Sequence, residues 1–298
     1  MRVYRHFPTQ FCAPIALAIG NFDGIHLGHQ ALLTRLVETS KAKNIAPAVM
    51  TFEPHPREFF SPQNAPARLT TLREKFEYFA EAKVEKVFIC AFNQKFAQMS
   101  ALDFMRNTLR EKLNANTILV GDDFRFGAKR VGSINDFTAN HFDLISLPQV
   151  NIGTERVSST SVRNALARGD LTQAAQLLGR AYSISGKVVY GAQRGRQLGF
   201  PTANIHMRHE RPALTGVYAV KLDGLNAVAN LGIRPTIVGV PKMSLEVHVI
   251  DFNGDLYGRH VHVAFCHKIR DEQKFENLDA LKAQIADDVQ AAKDYFKK

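Results

Sequence analysis

The stretch LAIGNFDGIHLGHQALL, Leu17 to Leu33, decides how the chain is read. The short apolar run Ile15 to Ile19 has the length and composition of a buried strand, and it stops at Gly20. From Leu27 the apolar residues recur at helical spacing through Leu32, Leu33, Leu36 and Val37. Between strand and helix lie Asn21, Phe22, Asp23, Gly24, His26, Gly28 and His29. A strand, a Gly-rich turn and a helix start gather unpaired backbone N–H groups at the positive end of the helix, which suits phosphate. His26 and His29, three residues apart on the first turn, can point the same way. They can donate hydrogen bonds to the charge that builds on a phosphoryl group under attack. One His at a helix start is usually structural; two His, two Gly and an Asp packed into one turn favour phosphate chemistry.

Outward from this motif, Ala46 to Glu53 reads as a second strand, running into PHPREFF (Pro54 to Phe60), which its prolines predict to be a loop. Thr71 and Glu74 have capping-box spacing and open a helix through Phe76, Phe79 and Ala80. Lys86 to Phe92 is a third strand. Ser100 and Asp103 cap a helix with apolar Phe104, Met105, Leu109 and Leu113, and Asn116 to Gly121 and Leu144 to Val150 are the fourth and fifth strands. Strands alternating with helices predict a parallel α/β sheet, with ligands beyond the carboxyl ends of its strands. The His motif follows the first strand and GDDFRFG (Gly121 to Gly127) the fourth, so both belong on that edge.

SSTSVRNALARGDL, Ser158 to Leu171, places Ser159 or Thr160 as a helix cap, with Arg163 one turn in and Val162, Leu166 and Ala167 as apolar positions. Hydroxyls, free amides and a guanidinium at one helix start make a second phosphate constellation. The texture changes after Leu178 and Gly179. Short β-branched, alternating runs from Ser183 to Phe265 predict an all-β region closed into a small barrel, with a boundary near residue 182 and domains over 1–182 and 183–298. Asn277 to Phe296 is spaced for one amphipathic helix. GAQRGRQLGFPTANI, Gly191 to Ile205, carries Gly191, Gly195 and Gly199 ahead of Pro201, Thr202 and Asn204. Glycines let a backbone approach phosphates, and a Thr hydroxyl and an Asn carbonyl two residues apart suit magnesium bound with ATP phosphates. Glu246 lies on a predicted strand, where a carboxylate can take an alcohol proton or simply face solvent.

At 298 residues the chain has room for two domains, and its 45% hydrophobic and 22% charged residues fit globular packing rather than disorder. No apolar run approaches a membrane span, and no small-residue cleavage site follows the N-terminal apolar segment, so neither a membrane anchor nor a secretory signal is expected. Cys12, Cys90 and Cys266 lie far apart without a CxxC pair, which indicates neither a zinc site nor a disulfide framework and fits a reducing cytoplasm. The net charge of +10 has no Lys/Arg block with interleaved aromatics, so nucleic acid is not an expected partner.

HLGH at His26 to His29 resembles the signature of the nucleotidylyltransferase superfamily, and GNFDGIHLGH resembles its flavin-adenylating branch. SSTSVR resembles the second signature of those enzymes. PTAN with its preceding glycines, NLGIRPTI (Asn230 to Ile237), LEVHVIDF (Leu245 to Phe252) and Arg270 in IRDEQKF resemble the riboflavin kinases. Together the motifs resemble the bacterial bifunctional riboflavin kinase/FAD synthetase family over nearly the whole chain. The resemblance implies an N-terminal Rossmann-like nucleotidylyltransferase α/β domain and a C-terminal riboflavin-kinase-type Greek-key β-barrel with a terminal α-helix. It implies two ATP-dependent steps, riboflavin to FMN in the barrel and FMN to FAD in the α/β domain, with magnesium assisting both.

By the same resemblance His26, His29 and Glu246 are catalytic. Gly20, Phe22, Asp23, His26, Gly28 and His29, with Ser159, Thr160 and Arg163 on the outer phosphates, bind the ATP of the adenylyl step. Phe52, Pro54, His55, Asp123, Phe124 and Phe126 hold its flavin. Gly191, Gly195, Gly199, Pro201, Thr202 and Asn204 cradle the ATP of the kinase step, with Thr202 and Asn204 on magnesium. Arg234 and Arg270 meet its flavin, Arg270 having the alternative of pairing with Asp271 or a neighbouring carboxylate. The implied partners are riboflavin, FMN, FAD and ATP, with no membrane, and the chain is expected as a monomer or weak homo-oligomer. A nucleotidylyltransferase for a pyridine mononucleotide or a lipid precursor is the alternative, against which the PTAN region speaks. A non-catalytic flavin or nucleic-acid binder is suggested only by the charge.

Overall fold

The structure, a computed structural model, describes residues 1–8, 13–191, 199–209, 211–234 and 242–297, with the side chains of 233, 234 and 242 outside that description. By packing, the chain divides into one unit of residues 1–66 and 72–158 and a second of residues 67–71 and 159–298.

The first unit runs β1 (Arg2–Tyr4), β2 (Ile15–Ile19), α1 (Leu27–Lys43), β3 (Ala46–Glu53), α2 (Pro56–Phe60), α3 (Leu72–Glu81), β4 (Lys86–Ala91) and α4 (Gln94–Ala97). It continues with α5 (Ala101–Asp103), a π-helix over Phe104–Lys112, β5 (Thr117–Gly121), α6 (Ile134–Ala139), β6 (Asp143–Leu147), and the two-residue strands β7 (Asn151–Ile152) and β8 (Glu155–Arg156). Among the described residues, six parallel strands form one sheet in the order β1-β4-β3-β2-β5-β6.

Strand β2 is buried on both faces, as a central parallel strand must be. Its odd residues, Ile15, Leu17 and Ile19, pack with Phe104, Met105, Leu109 and Leu113. Its even residues are the small Ala16 and Ala18, which pack in one cluster with Leu32, Leu33 and Leu36 of α1. Burying Leu33 and Leu36 contributes about 1.5–3 kcal/mol each. Cys90 lies in the first of these layers, and burial pushes its thiol up to about 12.

The second unit opens with α7 (Ser159–Ala167) and α8 (Leu171–Leu178), then β9 (Ser183–Val189), β10 (Ala203–His206), β11 (Gly216–Leu222), β12 (Leu225–Arg234), β13 (Lys242–Val249), β14 (His260–Arg270) and the terminal α9 (Leu278–Lys297). The strands close an antiparallel barrel in the order β10-β13-β12-β11-β14-β9. Strands β11, β12 and β13 are successive neighbours and β14 returns beside β11, which is the Greek-key arrangement. Helix α9 covers β11 and β12, where Ala292 and Val289 meet Val217, Ala219 and Val228.

Several local expectations change. PHPREFF is not a loop throughout: Pro56 stands at the first helical position, and His55 and Glu58 form a capping box that starts α2. The fifth strand of the sequence reading ends at Leu147, before Pro148, whose missing N–H cannot extend the ladder. Helix α7 already includes Ser159 and Thr160, and Ala165 rather than Ala167 faces inward. The sequence texture breaks near 182, where helices give way to strands, whereas packing divides at 158, because α8 lies against β14. Among the described residues no helix is long and apolar enough to cross a membrane.

Candidate active sites

In the first unit the strand order reverses between β2 and β5, with β3 and β4 leading one way and β6 the other. The loops leaving β2 and β5 therefore flank the crevice where such sheets bind ligands. His26 is the N-cap of α1, with extended backbone, and its Nδ1 accepts the His29 backbone N–H at 3.4 Å. An accepting Nδ1 leaves the proton of the neutral ring on Nε2. The two imidazoles stack with centroids 3.7 Å apart and planes 18° from parallel. A Cβ on Gly28 would lie 3.2 Å from His26 Nδ1, so glycine there leaves room for the ring to fold back. The first turn of α1 holds no acidic residue, so the partial positive charge of its start favours an anion.

His29 is buried. Its pKa is held well below the ordinary histidine value, first by burial and then by the neighbouring His26 ring and the Lys75 ammonium. It is a neutral imidazole at pH 7. Two buried polar atoms of this turn, His29 Nδ1 and Asn21 Oδ1, have no hydrogen-bond partner, at a cost of about 1–3 kcal/mol each. Both lie where the turn leads into α1, and a bound ligand or ion could satisfy them. Phe22 adopts φ +49° and is fully buried, 5.2 Å from the His29 ring and edge-on to Phe79, so its side chain supports the histidine from below. Gly20 lies against that Phe22 ring, and Asp23 is also buried.

Lys75 was not singled out by sequence reasoning. Its Nζ donates to the Asn21 carbonyl at 2.8 Å, which also accepts the Thr51 hydroxyl at 3.2 Å, and the residue is 3% exposed. The signal was its position: with Leu72, Phe76 and Phe79 it falls on the apolar stripe of α3.

Phe52, Pro54 and His55 lie where β3 runs into α2. His55 Nδ1 accepts the Arg57 N–H, and the His55 N–H donates to Glu58, so His55 is the cap of α2. Phe52 meets Phe92 and Phe96, and Phe59 and Phe60 pack edge-on to Phe92, with Phe60 exposed. These last three rings belong to an aromatic cluster the sequence did not reveal. After β5, Asp123 pairs with Arg156, while Phe124 stacks on Phe126 and Phe126 on Phe137. Phe126 is a core residue and Phe124 is half-buried.

In the second unit Ser159 is half-buried and Thr160 exposed on the first turn of α7, where backbone N–H groups have no helical partner. Arg163 Nε donates to the Ala67 carbonyl at 2.6 Å.

On the barrel, Glu246 of β13 stands opposite Asn204 of β10 on one side and Asn230 of β12 on the other. Leu245 and Val247 on either side of it are buried, so Glu246 faces out of the barrel and the three polar residues form one outer row. Cross-strand neighbours of this kind have Cβ atoms about 4.5–5.5 Å apart. Asn204, which follows the Gly-rich stretch, lies on a strand, and Asn230 joins it as a residue the sequence did not single out. The Asn204 amide fills the space beside Gly191. Thr202 is half-buried one residue before β10, and Gly199 takes φ +88° just ahead of Pro201. Hydroxyl, amide and carboxylate oxygens gathered here are a hard donor set that fits magnesium. Gly195 lies outside the described residues, as does the Arg234 side chain. Arg270 donates from Nε and Nη2 to the two carboxylate oxygens of Asp288, both at 2.8 Å, and from Nη1 to the Asp271 carbonyl at 3.0 Å. Of its alternatives, pairing with a neighbouring carboxylate is the one seen.

Two family models match the chain: FAD synthetase over residues 9–161 and riboflavin kinase over residues 178–296. A bifunctional riboflavin kinase/FMN adenylyltransferase of Escherichia coli K12 is 47% identical over 97% of this chain and 94% of its own length. The proteins of that name from Pseudomonas fluorescens and Haemophilus influenzae are 46% and 45% identical, over 92% and 94% of this chain and 91% and 94% of their own. A crystal structure described as a macrolide-efflux protein of Streptococcus pneumoniae superposes with a TM-score of 0.80 at 31% identity, covering 95% of both chains.

Proposed function

The chain belongs to the bifunctional riboflavin kinase/FMN adenylyltransferase family, and on that premise we propose how its residues divide the two reactions. It phosphorylates riboflavin to FMN and adenylylates FMN to FAD. The kinase work falls to residues 183–298 and the adenylyl work to residues 1–182.

In the kinase step the riboflavin 5′-hydroxyl oxygen attacks the γ-phosphorus of ATP, and the bond to the ADP oxygen breaks. Glu246 takes the hydroxyl proton as the new bond forms. Thr202 and Asn204 hold magnesium, which when bound neutralises phosphate charge. Gly191 leaves Asn204 its place, Gly199 and Pro201 lead the chain into β10 beside the phosphates, and Gly195 is a further candidate for the same ATP. Arg234 is the candidate for the flavin. Arg270, paired with Asp288, ties the end of β14 to α9 and is the second candidate near the flavin. The cross-strand register of Asn204 with Glu246 carries this reading, because a metal ligand and a proton acceptor have to work side by side in such a step.

In the adenylyl step a phosphate oxygen of FMN attacks the α-phosphorus of ATP and pyrophosphate leaves. His26 donates from Nε2, and neutral His29 and the backbone of Gly28 add hydrogen bonds to the charge on the α-phosphate. No histidine is consumed as a nucleophile. Ser159, Thr160 and Arg163 are the candidates for the outer phosphates. Phe52, Pro54, His55, Asp123 and Phe124 are those for the flavin, with Phe126 behind Phe124. Magnesium is the divalent ion of both steps, with Asn21 Oδ1, an unpartnered oxygen in the turn of His26 and His29, as a candidate ligand in the first unit. The protein acts in the cytoplasm as a monomer or weak homo-oligomer.

Incubating the full chain with riboflavin, ATP and magnesium, and separating the flavins by chromatography, tests the reading. FMN forms first and FAD follows; unchanged riboflavin contradicts it.

A further inference from the structure

His248 follows Glu246 by two residues on β13 and so shares its outer face. Its Nδ1 is 2.9 Å from the Pro201 carbonyl oxygen, across 47 residues of chain. A carbonyl only accepts, so His248 carries a proton on Nδ1. The ring also meets Phe200 edge-on, with centroids 5.6 Å apart and planes at 84°.

The place of this contact in the ladder matters. Strand β10 pairs with β13 from Ala203, opposite Val247. One step further out the paired register stops, and Thr202 would stand opposite His248. There the imidazole takes over, bonding the carbonyl of the residue just before Thr202. The peptide that aims the Thr202 hydroxyl is thereby tied to the strand that carries Glu246. Proline fixes its own φ, so anchoring its carbonyl leaves little freedom in the peptide that follows.

We propose that His248 is a positioning residue of the kinase site, whose Nδ1–H holds the Pro201 carbonyl and so aims Thr202 and Asn204 at the phosphates and their divalent ion. The proposal rests on Thr202 and Asn204 being those ligands. It assigns His248 no contact with substrate and no proton transfer. It adds a role for a residue that looks like an ordinary polar position on the outer face of a strand.

The test uses the full chain. Long-range ¹H–¹⁵N spectra of the wild type report which ring nitrogen of His248 is protonated, and Nδ1–H is expected; an unprotonated Nδ1 overturns the proposal without any variant. Calorimetry then measures magnesium–ADP affinity. His248→Ala and His248→Gln are expected to weaken it about tenfold. His248→Asn, whose amide N–H can reach where Nδ1–H stood, keeps affinity close to wild type. Riboflavin affinity and FAD formation from supplied FMN stay unchanged in all three. If His248→Asn is as weak as His248→Ala, ring packing on Phe200 is what counts and the hydrogen-bond role is rejected. If His248→Ala binds normally while Thr202→Ala does not, the positioning role fails and the ligand assignment stands. If Thr202→Ala also binds normally, the ligand assignment falls and takes the proposal with it.

Discussion

Gly191 and Asn204 compete for one space: a Cβ on Gly191 would stand 2.2 Å from Asn204 Nδ2 and 2.7 Å from its Oδ1. The smallest possible side chain would therefore evict the amide from its seat beside Glu246. Gly191→Ala is expected to lower kcat/KM for FMN formation by about 100-fold, the scale of a misplacement near 1 Å. FAD formation from supplied FMN stays unchanged. Steady-state rates of the two half-reactions check this, and a kinase of normal activity would show that Asn204 does not need that seat.

His29 gives a pH prediction. Burial lowers its folded-state pKa, whereas in the unfolded chain it titrates near the ordinary value of about 6.5. Below that value the unfolded chain binds a proton the folded chain refuses, so His29 costs stability as pH falls through about 6.5 and costs nothing above it. Ring signals of His29 are expected to remain those of a neutral imidazole at pH 5.5 in ¹H–¹³C spectra. Titration at an ordinary histidine pKa would contradict the buried, neutral donor.

Lys75 separates activity from stability. Lys75→Met keeps the length of the side chain but removes the ammonium from the Asn21 carbonyl. Burying an ammonium carries a desolvation cost that an apolar side chain of similar length removes. Thermal unfolding is expected to hold or rise, while FAD formation falls about tenfold or more because the turn under His29 loses its anchor and its positive charge. Full FAD activity in the variant would reduce Lys75 to a structural pillar.

Arg270 and Asp288 make the reverse case. Their bidentate pair is largely buried, with side-chain exposures of 20% and 4%. Asp288→Asn leaves the guanidinium poorly compensated and is expected to cost the barrel unit about 3–5 kcal/mol. Urea unfolding measures it. An unchanged midpoint combined with a raised KM for riboflavin would instead make Arg270 a flavin ligand loosely held by Asp288.

What was legible in the sequence was what local chemistry encodes. The strand at Ile15–Ile19 and the helix from Leu27 show in a few consecutive residues, and the spacing of His26 and His29 brings them to one side, while their stacking depends on the extended N-cap backbone of His26. The register that sets Asn204 beside Glu246 and Gly191 under Asn204 depends on barrel closure, which the residues of PTAN alone do not encode. Phe22, in a Gly-rich turn, looked like a ligand contact, yet its left-handed backbone turns the ring into the core. Strand β1, only Arg2–Tyr4, exists because β4 offers an edge, and no three-residue pattern announces that. Lys75 was visible as a cation on an apolar stripe, but its partner lies 54 residues away.

The most direct test of two separate nucleotide sites in one chain pairs His29→Ala with Glu246→Gln and follows both half-reactions by chromatography. The account predicts that His29→Ala converts riboflavin to FMN at the wild-type rate and makes no FAD. It predicts that Glu246→Gln converts supplied FMN to FAD normally and loses FMN formation by about 100-fold or more. Loss of both reactions in either well-folded variant, or normal FMN formation in Glu246→Gln, would contradict it.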